Sequence, residues 1–285
     1  METMWNRSEK RNRILIRNIR KISIFFFVLF FSILLFSDIT LDNSKQNNKI
    51  LAKNNLWKYV QKGIKTAEIK IIDNQHSTIK LLKIDPKYFH ANIMYSRNIG
   101  KTSLSVRSMT KSYKNTIGIN ANYFDENDYP LGHLKIKGKI INNYIAEPLI
   151  YSGIICFKNG KMKIIHRDDY IPENFDEALQ VGPRLIANAK MTYGIENMID
   201  YKNYSRRSMI GFDKNGSIIL GVTYGISSWK EIVNTMLENP EINIDSLINL
   251  DGGSSSQIYA SYGEKEIIDE RGISVPVGIG FKFNK

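Results

Sequence analysis

Short apolar runs separated by tight-turn residues dominate this sequence and restrict it to a hairpin-rich fold. Asn159-Gly160 and Asn215-Gly216 each stand between two apolar runs of strand length. An Asn-Gly pair between such runs is a strong signal for a two-residue β-hairpin. Most of the chain is therefore predicted to form antiparallel strand pairs.

Two helical patterns interrupt the strands. Ser228 precedes an apolar face of helical spacing, Glu231 follows three residues later as in a capping box, and Pro240 lies beyond the end. A second helix is predicted over about 104–113, before a strand at Ile117–Asn120. Hairpins with few helices indicate an α+β fold, with a mixed, largely antiparallel sheet in a single domain.

The N-terminal part has the composition of a membrane-targeting segment. Residues 22–37 are apolar apart from three serines, and residues 1–21 are rich in Lys and Arg. This pattern predicts a basic cytoplasmic segment, a single transmembrane signal anchor and a polar tether over 38–63. The extracytoplasmic domain is then 64–285. A cleaved signal, giving a secreted protein, remains the alternative, although no small-x-small cleavage site follows.

Charge and cysteine content narrow the class of partner. The formal net charge of +12 suits an acidic polymer such as a phosphate-bearing glycan, or an ordinary lysine-rich surface. No nucleic-acid-binding motif is present. Because Cys156 is the single cysteine, no intramolecular disulfide or multi-Cys metal site can form. An exported domain without disulfides fits a bacterial surface.

The run 249–256, Asn-Leu-Asp-Gly-Gly-Ser-Ser-Ser, follows a predicted buried strand. Asp251 stands where that strand ends and is a candidate for proton transfer. The N–H groups around Gly252 and Gly253, together with Ser254 and Ser255, are predicted to bind an anion or a sugar. A Gly-rich turn with a local cap is the alternative.

Four further segments of the chain accompany this run. They are 102–109 leading into 118–124, then 181–186, 206–213 and 275–280. In this order, the set resembles the phosphodiester glycosidase family. That family has an Ile-Asn-Gly-Gly-Phe-Phe-like run, a Gly-Pro-x-Leu run, an Arg-Thr-x-x-Gly run and an Asn-Leu-Asp-Gly-Gly-x-Ser-like run. The resemblance covers roughly 64–285.

The first two motifs supply candidate sugar-binding residues. Asn120 and Asn122 alternate at the end of a predicted strand, so their amides are expected to face one pocket and to bind sugar hydroxyls or an acetamido group. Asn122 departs from the second glycine of the family's run. Gly182 and Pro183 match the Gly-Pro pair and are expected to shape the site.

The remaining motifs supply the reacting groups. Arg207 aligns with the family's arginine, and its planar donor fork is expected to clamp phosphate. Arg206 is expected to be a surface charge. The resemblance implies that Asp251, Arg207 and Asn120 form the catalytic set, with Asp251 as acid or base and Asn120 orienting the sugar.

Other chemistries have weaker sequence support. Asp251 and Asp125 are candidate oxygen ligands for a divalent cation, Ca²⁺ or Mg²⁺, although no recognised metal-loop spacing includes them. A Ser254–His133 nucleophile pair lacks a Gly-x-Ser-x-Gly elbow, and a structural histidine is the default. No cofactor is required by the pattern.

The resemblance implies hydrolysis of sugar-1-phosphodiesters of the N-acetylglucosamine type. With the predicted anchor, the expected substrate is a phosphate-linked cell-envelope glycan or exopolysaccharide. Two alternatives remain open. One is a non-catalytic glycan-binding or envelope-organising module, and the other is a hydrolase or transferase acting on another phosphodiester, such as a glycerophosphoryl group.

Overall fold

The structure is a computed structural model that describes residues 56–269 and 271–284. The α-helices in these residues are α1 (Val106–Ser112) and α2 (Trp229–Glu238). The strands of the first half are β1 (Lys58–Gln61), β2 (Ile64–Ile71), β3 (Asn74–Ile84), β4 (Phe89–Tyr95), β5 (Ile117–Asn120), β6 (Leu134–Ile136), β7 (Lys139–Asn142), β8 (Gly153–Lys158) and β9 (Lys161–His166). Those of the second half are β10 (Glu177–Val181), β11 (Arg184–Ala187), β12 (Lys190–Met191), β13 (Ser208–Asp213), β14 (Ile218–Tyr224), β15 (Ile244–Asn249), β16 (Ile258–Tyr262), β17 (Lys265–Asp269) and β18 (Val277–Phe283).

The strands form three sheets. One has eight strands in the order β1-β2-β3-β14-β13-β15-β11-β12, one has five in the order β7-β6-β10-β8-β9, and one has five in the order β17-β16-β5-β18-β4. Every strand pair among the described residues is antiparallel. The expected α+β class with a largely antiparallel sheet is thus confirmed, in a form that is mostly β.

Both Asn-Gly pairs lie in hairpin turns, as predicted. Asn159 and Gly160 join β8 to β9 with φ of 50° and 73°, the left-handed conformation that a two-residue turn requires. In the turn between β13 and β14, the Asp213 carboxylate accepts hydrogen bonds from the N–H groups of Asn215, at 3.0 Å, and Ser217, at 2.8 Å. Local turn chemistry therefore fixes these two strand pairings.

Helix α2 also agrees with its sequence signal. The Ser228 hydroxyl accepts a hydrogen bond from the Glu231 N–H at 3.3 Å, and the Glu231 carboxylate accepts one from the Ser228 N–H at 3.2 Å. Trp229, Ile232 and Met236 are buried against one face of the eight-stranded sheet. The predicted helix over 104–113 is confirmed as the shorter α1, capped by the Ser105 hydroxyl.

The largest apolar core lies where the three sheets meet. It includes Leu82 and Ile210 from the eight-stranded sheet, Leu179 from the β10 sheet, and Ile119 and Phe281 from the β5 sheet. All five side chains are at most 2% exposed. Because the sheets share one core, the strand ends that carry the motifs quoted above are packed firmly against one another.

The folded unit begins before the expected boundary at 64. It spans Leu56–Lys285 and includes β1, which pairs with β2. Trp57 is 7% exposed, and its indole Nε1 donates a hydrogen bond to the Glu241 carbonyl at 2.9 Å. The last residues of the expected 38–63 tether therefore belong to the fold. Burial of the Trp57 indole ring, which has a large apolar surface, stabilises this arrangement.

The expected segments 1–21 and 22–37 and most of the tether lie outside the described residues, so these boundaries remain predictions. Within 56–269 and 271–284, no helix is long and apolar enough to cross a bilayer.

Candidate active site

The Asp251 loop lies between two other motif segments. The Asp251 N–H donates to the Ala121 carbonyl at 2.8 Å, and the Gly253 N–H donates to the Arg206 carbonyl at 2.8 Å. A Cβ on Gly252 would lie 2.8 Å from the same Arg206 oxygen, so glycine is required for this close approach. The ends of β5 and β15 and the segment before β13 are thereby joined at one place.

The Asp251 carboxylate has an environment suited to proton transfer. Its Oδ1 accepts a hydrogen bond from the Gly252 N–H at 2.9 Å, and the Ser255 hydroxyl also bonds to the carboxylate. Burial raises the pKa of Asp251 to about 6, against the opposing effect of these two donors. A carboxyl group with this pKa exchanges protons readily near neutral pH.

Arg207 is a buried cation held by neutral partners. It is 6% exposed; its Nε donates to the Ser227 carbonyl at 3.2 Å, and its Nη2 donates to the Asn203 carbonyl at 2.7 Å. The guanidinium carbon lies 4.9 Å from the centre of the Trp229 ring. Burial lowers the pKa of Arg207, but an arginine pKa starts far above neutrality, so the group remains charged.

One edge of the Arg207 guanidinium remains available. Within the described part of the chain, Nη1 has no hydrogen-bond partner and Arg207 has no salt bridge. The Arg207 Cδ lies 3.8 Å from the position of a Cβ on Gly252, which places the side chain beside the Asp251 loop. A fixed cation without an anionic partner next to a carboxylic acid is suited to binding phosphate.

Asn120 has a different position from the one expected. It is 0% exposed; its Nδ2 donates to the Asp251 carbonyl at 2.6 Å, and its Oδ1 accepts bonds from the Ser208 hydroxyl and the Gln257 N–H at 2.8 and 3.0 Å. The expectation that this amide contacts a sugar is therefore corrected. Asn120 holds the loop that carries Asp251, because its amide is enclosed and engaged by protein groups.

Asn122 differs from Asn120 in the hydrogen bonding of its amide. It is 2% exposed, and neither its amide oxygen nor its amide nitrogen has a hydrogen-bond partner among the described residues. Buried polar groups in folded proteins nearly always have a partner. Asn122 therefore retains the hydrogen-bonding capacity that a sugar-binding residue needs.

Gly182 and Pro183 shape the site. Gly182 has φ of +145°, and a Cβ there would lie 2.7 Å from the Ile150 carbonyl oxygen. The Gly182 carbonyl accepts hydrogen bonds from the Tyr123 hydroxyl at 2.7 Å and the Asn249 amide at 3.1 Å. Only glycine fits both the backbone conformation and the close contact.

The predicted anion-binding nest is not formed as expected. The N–H groups of Gly252 and Gly253 donate to the Asp251 carboxylate and the Arg206 carbonyl, and that of Ser255 donates to the Gly252 carbonyl at 3.0 Å. Ser254 is exposed. The N–H groups of Gly252, Gly253 and Ser255 are therefore engaged in the turn of the loop itself and are not free to bind an anion in this structure.

Two other sequence candidates have structural partners. The Asp125 carboxylate accepts hydrogen bonds from the N–H groups of Asn127 and Tyr129 at 2.9 and 2.8 Å, as in a turn cap. His133 is fully buried, with Nε2 2.9 Å from the Tyr170 hydroxyl, as the default structural interpretation predicts. No cluster of three or more metal-ligating His, Cys, Asp or Glu side chains occurs within 56–269 and 271–284.

Arg206 is not the surface charge that was expected. Its side chain is 17% exposed; it forms a salt bridge with Asp269 at 3.2 Å and donates to the Ser256 carbonyl at 2.8 Å. Arg206 thus fixes the far end of the Asp251 loop, whereas the neighbouring Arg207 has no salt bridge to any described residue.

Sequence reasoning assigned no role to Asn249, Tyr123 or Trp229. The Trp229 indole Nε1 donates to the Asn249 Oδ1 at 3.0 Å, and the Asn249 Nδ2 lies 3.0 Å from the Tyr123 hydroxyl. Asn249 and Tyr123 stand inside the quoted motifs, which was the available signal. For Trp229 there was no such signal, because in the sequence it is one of several apolar residues on the same helix face.

Comparison with known proteins agrees with this geometry. The family model for phosphodiester glycosidases matches residues 113–282, which include all the candidate site residues named above. A search of curated proteins finds no match.

Two solved structures share the fold. The catalytic domain of zebrafish N-acetylglucosamine-1-phosphodiester alpha-N-acetylglucosaminidase, auto-inhibited by its pro-peptide, is 17% identical, with a TM-score of 0.58 over 81% of this chain and 85% of that one. A hypothetical protein from Synechocystis is 15% identical, with a TM-score of 0.58 over 79% of this chain and 63% of that one. The chain thus spans less than two thirds of the length of the Synechocystis protein.

At these identities the structural likeness establishes the fold alone. The family model covers more than half of the 285 residues, and the motifs it includes converge on Asp251 and Arg207. The resemblance noted in the sequence is therefore confirmed, and this chain belongs to the phosphodiester glycosidase family.

Proposed function

We propose that this protein hydrolyses sugar-1-phosphodiesters, releasing a free sugar and a phosphomonoester. The observation that carries the proposal is that Asp251, whose pKa is raised to about 6, stands on a loop that packs beside the Arg207 side chain, whose Nη1 has no partner in the described residues. Family membership favours the same class of reaction, hydrolysis of phosphodiester-linked sugars.

The reaction follows from the two groups. The Asp251 carboxylate takes a proton from a water molecule whose oxygen attacks the anomeric carbon of the sugar. The bond between that carbon and the phosphate oxygen breaks, and its electron pair leaves with the phosphate. Arg207 stabilises the negative charge of the departing phosphomonoester. In the transition state, the anomeric carbon resembles an oxocarbenium ion, as in other glycoside hydrolyses.

The other residues act on position rather than on bonds. Asn120 fixes the Asp251 loop through the Asp251 carbonyl, and Gly182 with Pro183 sets the neighbouring turn. Asn122, whose buried amide has no partner among the described residues, is the asparagine that we assign to the sugar side of the site. Ser255 and Gly252 orient the carboxylate.

The substrate we propose is N-acetylglucosamine joined through phosphate to an alcohol of a cell-envelope glycan or exopolysaccharide. The named activity of the zebrafish relative and the net charge of +12 favour it. The apolar run at 22–37 favours a bacterial, membrane-anchored protein with an extracytoplasmic catalytic domain. The same assay tests whether the reaction requires Ca²⁺ or Mg²⁺, with Asp251 and Asp125 as the proposed ligands.

The test is hydrolysis by the purified full chain in oxygen-18 water. The substrates are the methyl phosphodiester of N-acetylglucosamine-1-phosphate, uridine diphosphate N-acetylglucosamine, and glycerophosphocholine. We expect free N-acetylglucosamine that carries the label, because water attacks the sugar carbon. Asp251→Asn is expected to lower kcat by at least about 10²-fold, the scale of a lost acid–base group.

Asp245→Asn, on the same strand β15, is the matched control and should retain activity. Label in the phosphate would show attack at phosphorus and a different phosphodiesterase. Binding of N-acetylglucosamine-1-phosphate without turnover would favour the glycan-binding alternative. Loss of turnover in chelator, restored by Ca²⁺ or Mg²⁺, would establish the metal requirement.

A further inference from the structure

A tyrosine outside all the sequence motifs lies beside Tyr123 and the turn at Gly182. Tyr151 ends the short 3-10 turn Leu149–Tyr151, just before β8. Its N–H donates to the Pro148 carbonyl at 2.8 Å. The loop that leads to this turn belongs to the sheet containing β8 and β10, whereas Asp251 follows a strand of the eight-stranded sheet. The tyrosine therefore reaches the site from a different sheet.

The backbone at Tyr151 is fixed by a buried glutamine. Gln180 is 0% exposed, and its Nε2 donates to the carbonyls of Ala146 and Tyr151 at 2.8 and 2.9 Å. Its Oε1 accepts from the N–H groups of Ala146 and His133 at 2.8 and 3.2 Å. With all four hydrogen bonds made, Gln180 holds both ends of the loop 146–151 in place.

The Tyr151 ring packs edge-on against Tyr123, with centroids 5.4 Å apart and an interplanar angle of 77°. The Tyr123 hydroxyl donates to the Gly182 carbonyl and lies 3.0 Å from the Asn249 amide, so it is engaged by protein groups. The Tyr151 side chain is half-buried, and its hydroxyl has no hydrogen-bond partner within the described residues. Of the two rings, only Tyr151 has a hydroxyl free for a ligand.

Tyr151 lies against the turn at Gly182. The position of a Cβ on Gly182 is 2.7 Å from the Ile150 carbonyl oxygen and 3.2 Å from the Ser152 nitrogen, the two backbone groups that flank Tyr151. Burial, followed by the Asp251 charge, raises the pKa of Tyr151, so the hydroxyl stays protonated at neutral pH and is available as a donor. Tyr151 therefore brings a neutral donor to the part of the site that Gly182 and Tyr123 form.

We propose that Tyr151 contacts the sugar of the substrate and that its hydroxyl donates a hydrogen bond to a sugar oxygen, which makes it a specificity-determining residue. The proposal rests on the proposed function, which brings a sugar to the strand end where Asn249 and Tyr123 bond to the Gly182 carbonyl and where the Tyr151 ring packs. A fixed neutral hydroxyl at that position discriminates between sugars that do and do not present an acceptor there.

The first test compares Tyr151→Phe with the parent on the methyl phosphodiester of N-acetylglucosamine-1-phosphate and on its 2-, 3-, 4- and 6-deoxy analogues. We expect kcat/KM for the parent sugar to fall by roughly 5- to 30-fold, the scale of one hydrogen bond. For the analogue that lacks the partner oxygen, the parent and the variant should be equal. Tyr144→Phe, an exposed tyrosine on the same loop, is the control and should match the parent.

A binding arm separates failure of this proposal from failure of the proposed function. Calorimetry measures the affinities of N-acetylglucosamine and inorganic phosphate without turnover. Tyr151→Phe should weaken sugar binding and leave phosphate binding unchanged, and Arg207→Lys should do the reverse.

If the parent binds N-acetylglucosamine but hydrolyses nothing, the proposed function fails and the loss of sugar binding in Tyr151→Phe still supports the sugar contact. If the parent hydrolyses the substrate and Tyr151→Phe matches it on every sugar, the sugar contact is overturned alone. An equal loss of phosphate affinity in Tyr151→Phe, or no sugar binding by the parent, would also overturn it.

Discussion

At the scale of single residues, the site uses burial to set the properties of its charged groups. Asp251 has a pKa of about 6 because burial outweighs the two hydrogen bonds that favour its ionised form. Arg207 keeps its charge in a buried position because its partners are neutral carbonyl oxygens. Neither group neutralises the other through a salt bridge among the described residues. Both charges therefore remain available to a substrate.

The raised pKa predicts a pH-dependent cost to stability. An unfolded aspartate has a pKa near 3.9, so between about pH 4 and 6 the native state holds a proton that the unfolded state has lost. Stability conferred by this group is thus present at low pH and is lost as the pH rises through about 6. Above that pH, the buried charge costs roughly 2–3 kcal/mol.

Asp251→Asn removes that cost. We expect the variant to exceed the parent in free energy of unfolding at pH 8 and the excess to shrink steadily towards pH 4. Urea unfolding of the full chain across this range measures it. The same difference between variant and parent at every pH would show that burial does not perturb this carboxyl group.

At the scale of secondary-structure elements, the site is made of strand ends and the loops that follow them. Tyr151 is positioned in the site by Gln180, on β10, which bonds to the backbone of the preceding loop. The loop has little regular structure of its own beyond the turn Leu149–Tyr151. Arg167 also donates to the Pro148 carbonyl at 2.9 Å, but Gln180 is the buried side chain that bonds to the loop at both Ala146 and Tyr151.

Gln180→Leu is expected to release the loop. The Ala146 N–H and the Tyr151 carbonyl would lose their partner, and the Ala146 carbonyl would keep only the 3.4 Å bond from Arg167. Each buried unpaired group costs about 1–3 kcal/mol. We expect faster amide hydrogen exchange across 146–152 and weaker binding of N-acetylglucosamine, with phosphate binding retained. Gln75→Leu, at an exposed position of β3, is the control. Unchanged exchange in the loop would show that other contacts hold it.

At the scale of the whole molecule, the first described residues close one side of the apolar layer between α2 and the eight-stranded sheet. Trp57 packs in that layer, and the Lys83 ammonium lies 4.6 Å from the centre of its ring. The Leu56 N–H also donates to the Glu241 carboxylate at 2.7 Å. The segment at 56–61 is therefore a structural part of the domain rather than a linker.

Trp57→Ala should destabilise the full chain by about 3–5 kcal/mol, the usual cost of deleting a buried tryptophan side chain. Urea unfolding provides the measurement. Tyr59→Ala, two residues away and 72% exposed, is the control and should change stability little. A loss of less than about 1 kcal/mol in Trp57→Ala would contradict the assignment of this segment to the core.

The sequence alone determined the locally encoded features of this protein. The Asn159-Gly160 and Asn215-Gly216 hairpins and the capped helix α2 depend on residues close together in the chain, so their patterns predicted them. The family was also evident, because its motifs are ordered runs of residue types. Asp251 and Arg207 were recognised as candidates on that basis, and their catalytic roles remain predictions.

Only the tertiary structure decided which structural role each of these residues has. Asn120 and Asn122 look equivalent in the sequence, yet one amide is fully engaged with protein groups and the other is unpaired. Tyr151 lies outside the motifs, and its contact with Tyr123 depends on packing between segments that are distant in the chain. Such partnerships are set by packing between segments far apart in the chain, and local sequence patterns do not encode that packing.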